Sequence, residues 1–283
     1  MTTESGLDLE WRFSPPEADM RQTRVRNRIG IGLLLGWSLA GACQTPLPGP
    51  DSARSSYSAK GAVPSAEQIA KKLQERNAQR AAALDQFIGT RVYRMEYRGF
   101  PSDRDAEMVV NMTYDAPSTK EFTVVSQSGS KFVIDHVFKK LLEGELEAAN
   151  EENRRSSALS TDNYDFTSAG YENTPEGGEY VLNLLPRTKN RFLYRGKIWV
   201  DAKDFAVVRI EGEPAKNPSF WIKKTEVKHR YVKVSDFWLP AENRTESVIR
   251  LGGKATLSIE YKDYKITKAA PLRGSETASH DSK

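Results

Sequence analysis

Cys43 is the only cysteine among 283 residues, and the residues before it give its thiol a chemistry. Leu39-Ala40-Gly41-Ala42-Cys43 resembles a lipobox, the bacterial motif at which a thiol is converted to a lipid thioether, with the leucine one place further from the cysteine than usual. Ala40-Gly41-Ala42 equally fits the small-x-small rule of an ordinary signal peptidase. Cys43 is therefore read as a candidate lipid attachment point, with a bystander thiol at a cleavage site as the alternative. A sole cysteine can form no intramolecular disulfide, which favours attachment in an oxidising compartment where free thiols are a liability.

The other reactive residue types assemble nothing catalytic. His136, His229 and His280 are the three histidines, and no H-E-x-x-H or related metal spacing joins them. No Gly-rich phosphate loop and no G-x-S-x-G elbow occurs. His229 alternates with Val227 and Tyr231, as an ordinary strand residue does. Glu143, Glu145, Glu147, Glu151 and Glu152 read as one solvated helix face rather than as a carboxylate pair held across a cleft. The expectation is no enzyme, no metal and no cofactor. Charged residues make up 28% of the chain for a net charge of +4, and Lys and Arg are scattered rather than striped, which argues against nucleic acid.

The stretch from Met20 to Cys43 has the three-part layout of an export signal. Arg21, Arg24, Arg26 and Arg28 form the positive region, Ile29 to Leu39 the apolar region, and Ala40 to Ala42 the small residues. The apolar run is shorter than the roughly 20 residues a spanning helix needs. Polar residues 1–19 precede the arginines, so Met20 is a candidate true start. Residues 1–42 are read as the signal peptide. Residues 43–65, with Pro46, Pro48, Pro50 and Pro64 among Ser, Ala and Gly, are read as a flexible linker. Residues 66–270 form one domain and 271–283 a polar tail.

Within the domain, Ser65 and Gln68 have capping-box spacing, and Ile69, Leu73, Leu84 and Ile88 follow at helical spacing. From Arg91 the period becomes two: Tyr93, Met95 and Tyr97 alternate with Arg94, Glu96 and Arg98. Met108, Val110, Met112 and Tyr114 continue it after a turn at 100–105, and 119–126 is a third strand. Asp135 to about Asn153 reads as a second amphipathic helix. Strands resume at 166–171, 179–185, 191–201, 206–212, 223–234, 238–251 and 254–264, separated mostly by Gly and Pro turns. Connections this short make neighbours antiparallel. Phe192, Tyr194, Ile198 and Val200 share one face, Ala206, Val208 and Ile210 another, and Ala255, Leu257, Ile259 and Tyr261 a third. A sheet with one apolar side must curl around something, and two helices are available as filling.

The residues Ile198-Trp199-Val200-Asp201, Phe205 to Gly212, Phe237-Trp238-Leu239-Pro240 and Ile259 to Tyr264 make the chain resemble the outer-membrane lipoprotein-sorting proteins, the periplasmic carriers and receptors of the LolA/LolB type. The resemblance covers roughly residues 66–267. It implies a mainly β (α+β) fold, an antiparallel half-open barrel of ten or eleven strands with amphipathic helices in or over its mouth. It further implies an apolar cavity for lipid or lipoprotein acyl chains and a role in sorting to the outer membrane. Phe192, Tyr194, Ile198, Val208, Ile210, Leu257, Ile259 and Tyr261 are the candidate cavity residues. Asp201 reads as the cap of the turn 202–204 and Trp199 as a cover on the outer surface or on a sheet edge. The expected partners are acyl chains and the bacterial membrane, without nucleic acid, for a monomer in the periplasm or tethered to the outer membrane through Cys43. The alternative is a periplasmic sensor or structural envelope module using the same fold without transport.

Overall fold

The computed structural model describes residues 63–149, 151–217, 219–250 and 252–272. Residues 1–62, which hold the expected signal peptide, Cys43 and most of the expected linker, and residues 273–283 of the expected tail lie outside the described residues. No helix among the described residues is long and apolar enough to cross a membrane.

The capping box forms as its spacing dictates. The Gln68 backbone N–H donates to the Ser65 hydroxyl at 3.2 Å, and the Ser65 N–H donates to the Gln68 side-chain oxygen at 2.8 Å. Such a cap contributes about 1 kcal/mol. It opens helix α1, Ala66–Ala83, which buries Ile69, Ala70 and Leu73. The helical spacing of Leu84 and Ile88 is misleading, because strand β1 begins at Leu84 and runs to Arg98. Across 84–90 the chain pairs with strands on both sides, and Phe87 packs 5.1 Å from Tyr114 and 5.8 Å from Tyr264. Ladder bonds and aromatic burial there outweigh local helical preference.

The remaining strands are β2 (Arg104–Asp115), β3 (Thr119–Gly129), β4 (Tyr164–Thr174), β5 (Gly177–Pro186), β6 (Tyr194–Asp201), β7 (Val207–Pro214), β8 (Ile222–Val234), β9 (Phe237–Ile249) and β10 (Lys254–Ala269). They form one antiparallel sheet of ten strands in the order β3-β2-β1-β10-β9-β8-β7-β6-β5-β4. β3 and β4 are its two edges and do not pair, so the barrel is half open. Between them the chain inserts a helical segment: α2 (Lys131–Val133), a π-helical turn (Ile134–Phe138), α3 (Lys139–Ala148) and α4 (Glu151–Ser157).

Two helical plugs make two cores. The insertion brings Val133, Phe138 and Leu141 onto Tyr93, Met108 and Ile259 of the β2–β1–β10 side. α1 brings Ile69 and Leu73 onto Leu182, Ile198, Val200 and Ile210 of the β5–β7 side. Asp201 ends β6 as its position suggests, its carboxylate accepting from the N–H groups of Lys203 at 3.0 Å and Asp204 at 2.6 Å.

The period-two reading of β7 fails at one residue. Trp199 faces Arg209, but the next pair is Val200 with Val207, so Val208 is the extra residue of a β-bulge. The bulge turns Val207 inward and leaves Val208 on the outer side, in a groove with Glu172, Arg209, Glu211 and Lys228. Val208 is therefore not an inner-face residue. Trp199 is on the outer side too, buried beneath the Arg209 guanidinium at 3.7 Å.

Candidate functional site

The two plugs leave the middle of the concave face uncovered. A cavity of about 350 Å³ lies there over β8, β9 and β10. Met95, Val137, Leu141 and Tyr194 are among its walls, with Leu257 and Val227 on the sheet side. Pro214, Ile222, Ile249 and Ala255, each at or beside a strand end, carry the space out to the rim of the sheet.

Its floor is polar but not charged. The inward residues of β8 are Thr225, Val227 and His229, and they face Ser247, Thr245 and Asn243 of β9. The Thr225 and Ser247 hydroxyls satisfy each other at 3.1 Å. His229 is buried, packs edge-on to Tyr194 at 5.4 Å, and has no hydrogen-bond partner at Nε2. Burial pushes its pKa down to about 4, so the imidazole is neutral at ordinary pH.

A smaller cavity of about 100 Å³ lies beside α1, lined by Phe192, Tyr194, Ile210, Tyr164 and Val207. Tyr194 borders both spaces. A third space of about 30 Å³ adjoins a buried ionic cluster, and His229 borders it as well as the cavity over β8–β10. In that cluster the Glu145 carboxylate accepts from the Arg91 guanidinium and from the Tyr93 hydroxyl at 2.9 Å, with the Lys120 ammonium 3.6 Å away. Arg91 also lies 5.2 Å from the Phe122 ring centre and 5.1 Å from that of Tyr261. Burial opposes the Glu145 charge, but Arg91 and Lys120 outweigh it and hold the carboxyl below its usual range. Burial lowers the Lys120 pKa despite the attraction of Glu145.

Glu145 is thus no member of a solvated face, being 1% exposed. Glu147 is half-buried and paired with Arg191. The pattern held a signal: Glu145 lies four residues after Leu141 and three before Ala148, within the buried stripe of α3. Arg91 likewise shares strand parity with Tyr93 and Met95. The polar floor was legible in another way, since β8 and β9 alternate charged residues (Lys224, Glu226, Lys228; Glu242, Arg244, Glu246) with uncharged ones.

The eight candidate cavity residues do not converge on one space. Leu257 lines the large cavity, Phe192 and Ile210 the small one, and Tyr194 both. Ile198 and Ile259 are fully buried in the two cores. Tyr261 packs on the ionic cluster, and Val208 is outside. Among the described residues no group of His, Cys, Asp or Glu could hold a metal ion.

No family model matches the chain, and no curated protein matches it in sequence. Solved structures similar to it include a DUF1329 family protein from Desulfovibrio piger, at 12% identity and a TM-score of 0.38, covering 72% of this chain and 94% of that one. A putative outer membrane lipoprotein-sorting protein domain from Vibrio parahaemolyticus gives 12% identity and a TM-score of 0.36 over 71% of this chain and 93% of that one. A LolA superfamily protein from Nitrosomonas europaea gives 12% and 0.32 over 72% and 94%.

Proposed function

We propose that this chain is a non-enzymatic envelope protein that holds the acyl part of a lipid or lipidated protein in the cavity over β8–β10. The observation that carries the reading is that cavity itself: about 350 Å³, walled largely by apolar side chains and continuous with one rim of the sheet. That volume lies in the range of small-molecule sites. Holding an acyl chain needs no covalent chemistry, because each buried CH₂ contributes about 0.8 kcal/mol. The uncharged hydrogen-bonding floor suits the ester or amide that joins such a chain to its head, groups a purely apolar pocket would leave unpaired.

The test is native mass spectrometry of the full chain purified without added lipid. The wild type should carry bound lipid, and Leu257→Arg, which places a guanidinium in the cavity, should lower the load at least tenfold while circular dichroism stays unchanged. A wild type that carries no lipid, or an equal load in the folded variant, overturns the reading. Ile198 is unsuited to this test, since it is sealed in a core and a charge there reports stability.

The leader supports an exported protein, tethered if Cys43 is acylated. Cells fed a clickable fatty acid should label the wild type and not Cys43→Ala. Equal labelling of both, or none in either, removes the tether.

A further inference from the structure

The two ends of the sheet differ in chemistry. The register places the turns after β1, β5, β7 and β9, and the end of β3, at one rim. The turns after β2, β4, β6 and β8 form the other. On the first rim stand Phe100, Phe132, Phe220 and Trp221, all more than half exposed, with Phe100 and Phe220 at 77% and 75%. No large apolar side chain of the described turns on the second rim is exposed, and its turns carry Glu176, Asp204 and Asp236 against the one cation Lys203.

The first rim is also basic. Arg104, Lys131, Lys189, Lys216, Lys223 and Arg250 stand on or beside its turns and form no ion pair among the described residues. The acids beside these turns include Glu213, Asp162, Asp103, Asp105, Asp135, Asp165 and Glu246; Asp103 and Asp105 face Arg98, Asp135 binds Lys139, Asp165 binds Arg187, and Glu246 binds Lys254 and Arg244. The exposed rings are held in place. Arg250 donates from Nε to the Phe220 carbonyl at 2.6 Å and from its backbone N–H to the Trp221 carbonyl at 2.8 Å. Its guanidinium lies 5.0 Å from the Phe220 ring, and Phe220 meets Trp221 edge-on at 5.6 Å. Arg104 lies over Phe132 in the same manner at 5.2 Å.

We propose that this rim docks on an anionic lipid bilayer, with Phe100, Phe132, Phe220 and Trp221 entering the headgroup region and the unpaired lysines and arginines facing the lipid phosphates. Aromatic rings beside basic side chains match what a bilayer interface offers, amphipathic depth for the rings and negative surface potential for the cations. A protein partner would not explain why the aromatics occur on separate turns around one end while the opposite end is acidic. The cavity reaches this same rim through Pro214, Ile222 and Ile249, so docking would set its mouth against the membrane. The proposal stands whatever occupies that cavity.

The experiment is sedimentation of the full chain with vesicles of phosphatidylcholine alone or mixed with phosphatidylglycerol. The leader contributes equally to every variant, so differences report the rim. Phe220→Ser/Trp221→Ser should lower partitioning onto anionic vesicles at least tenfold. Lys216→Glu/Lys223→Glu should do the same at low salt and have little effect on phosphatidylcholine. Brominated lipid should quench wild-type emission more than that of Trp221→Phe. The aromatic double variant should keep its copurified lipid, so loss of docking and loss of acyl binding are read separately. Folded variants that sediment like the wild type on anionic vesicles overturn the proposal. So does a double variant that keeps vesicle binding but loses an envelope protein captured by the wild type, which would make the rim a protein interface.

Discussion

Replacing Glu145 by leucine is expected to destabilise the fold by about 3–5 kcal/mol, the cost of leaving a buried ion without its partner. The substitution removes the acceptor of the Arg91 guanidinium and the Tyr93 hydroxyl and strands Lys120 beside them, with Arg91 and Lys120 both almost fully buried. For a domain of this size the thermal midpoint should fall by roughly 10 °C. The cluster holds two cations against one carboxylate, so removing every charge should do less harm than removing one. Arg91→Met/Lys120→Met/Glu145→Leu should recover most of the loss, because a buried ionic group replaced by apolar residues of similar volume is often neutral. Urea unfolding of the wild type, the single variant and the triple variant decides it. A single variant within 1 kcal/mol of wild type would show that the cluster is hydrated rather than buried.

Stability should also fall in acid, with His229 as the first cause. Its folded pKa is about 4 against an ordinary value of 6.5. Above pH 6.5 the imidazole is neutral folded and unfolded, and contributes no pH dependence. As pH falls from 6.5 to about 4 the unfolded chain takes a proton that the folded chain refuses, and about 3 kcal/mol is lost. Glu145 acts in the same direction at lower pH. Its folded pKa lies below the ordinary 4.5, so its stabilisation is present above that value and is lost as pH falls through the folded pKa. His229→Gln should flatten the unfolding free energy between pH 6.5 and 4 and leave the slope below that. An unchanged slope in that variant would place the imidazole in contact with water.

Most elements of the fold could be read from the sequence, because antiparallel strands with one apolar face write their period directly. The strands from 166 to 264 fall between the expected turns, most of which carry Gly or Pro. The errors have local causes. Leu84 and Ile88 continue the spacing of Ile69 and Leu73, and only pairing with β2 and β10 makes that segment a strand. Val208 keeps its alternation in the sequence, but it is the extra residue of a bulge opposite Trp199 and Val200, which shifts the face. The site was harder to see because hydrophobicity was the guide. Hydrophobic contrast points to Ile198 and Ile259, which are core, and is silent on Thr225, Asn243 and Ser247, which floor the cavity on a polar inner face. Glu145 was hidden by its type, although its place on the helix gave it away.

The unjoined edges of the sheet have a mechanical consequence. In a closed barrel, strand number and stagger fix the girth, and a wider occupant must break ladder bonds. Here β3 and β4 share no such bonds, so the girth follows from twist and from how far apart the two helical plugs sit. Spreading the edges sacrifices side-chain packing alone, and under the proposed function an entering acyl chain would bring apolar surface to replace it. The space found between the plugs is then one setting of an adjustable gauge, and the proposed occupants could differ in thickness without any strand leaving its neighbour.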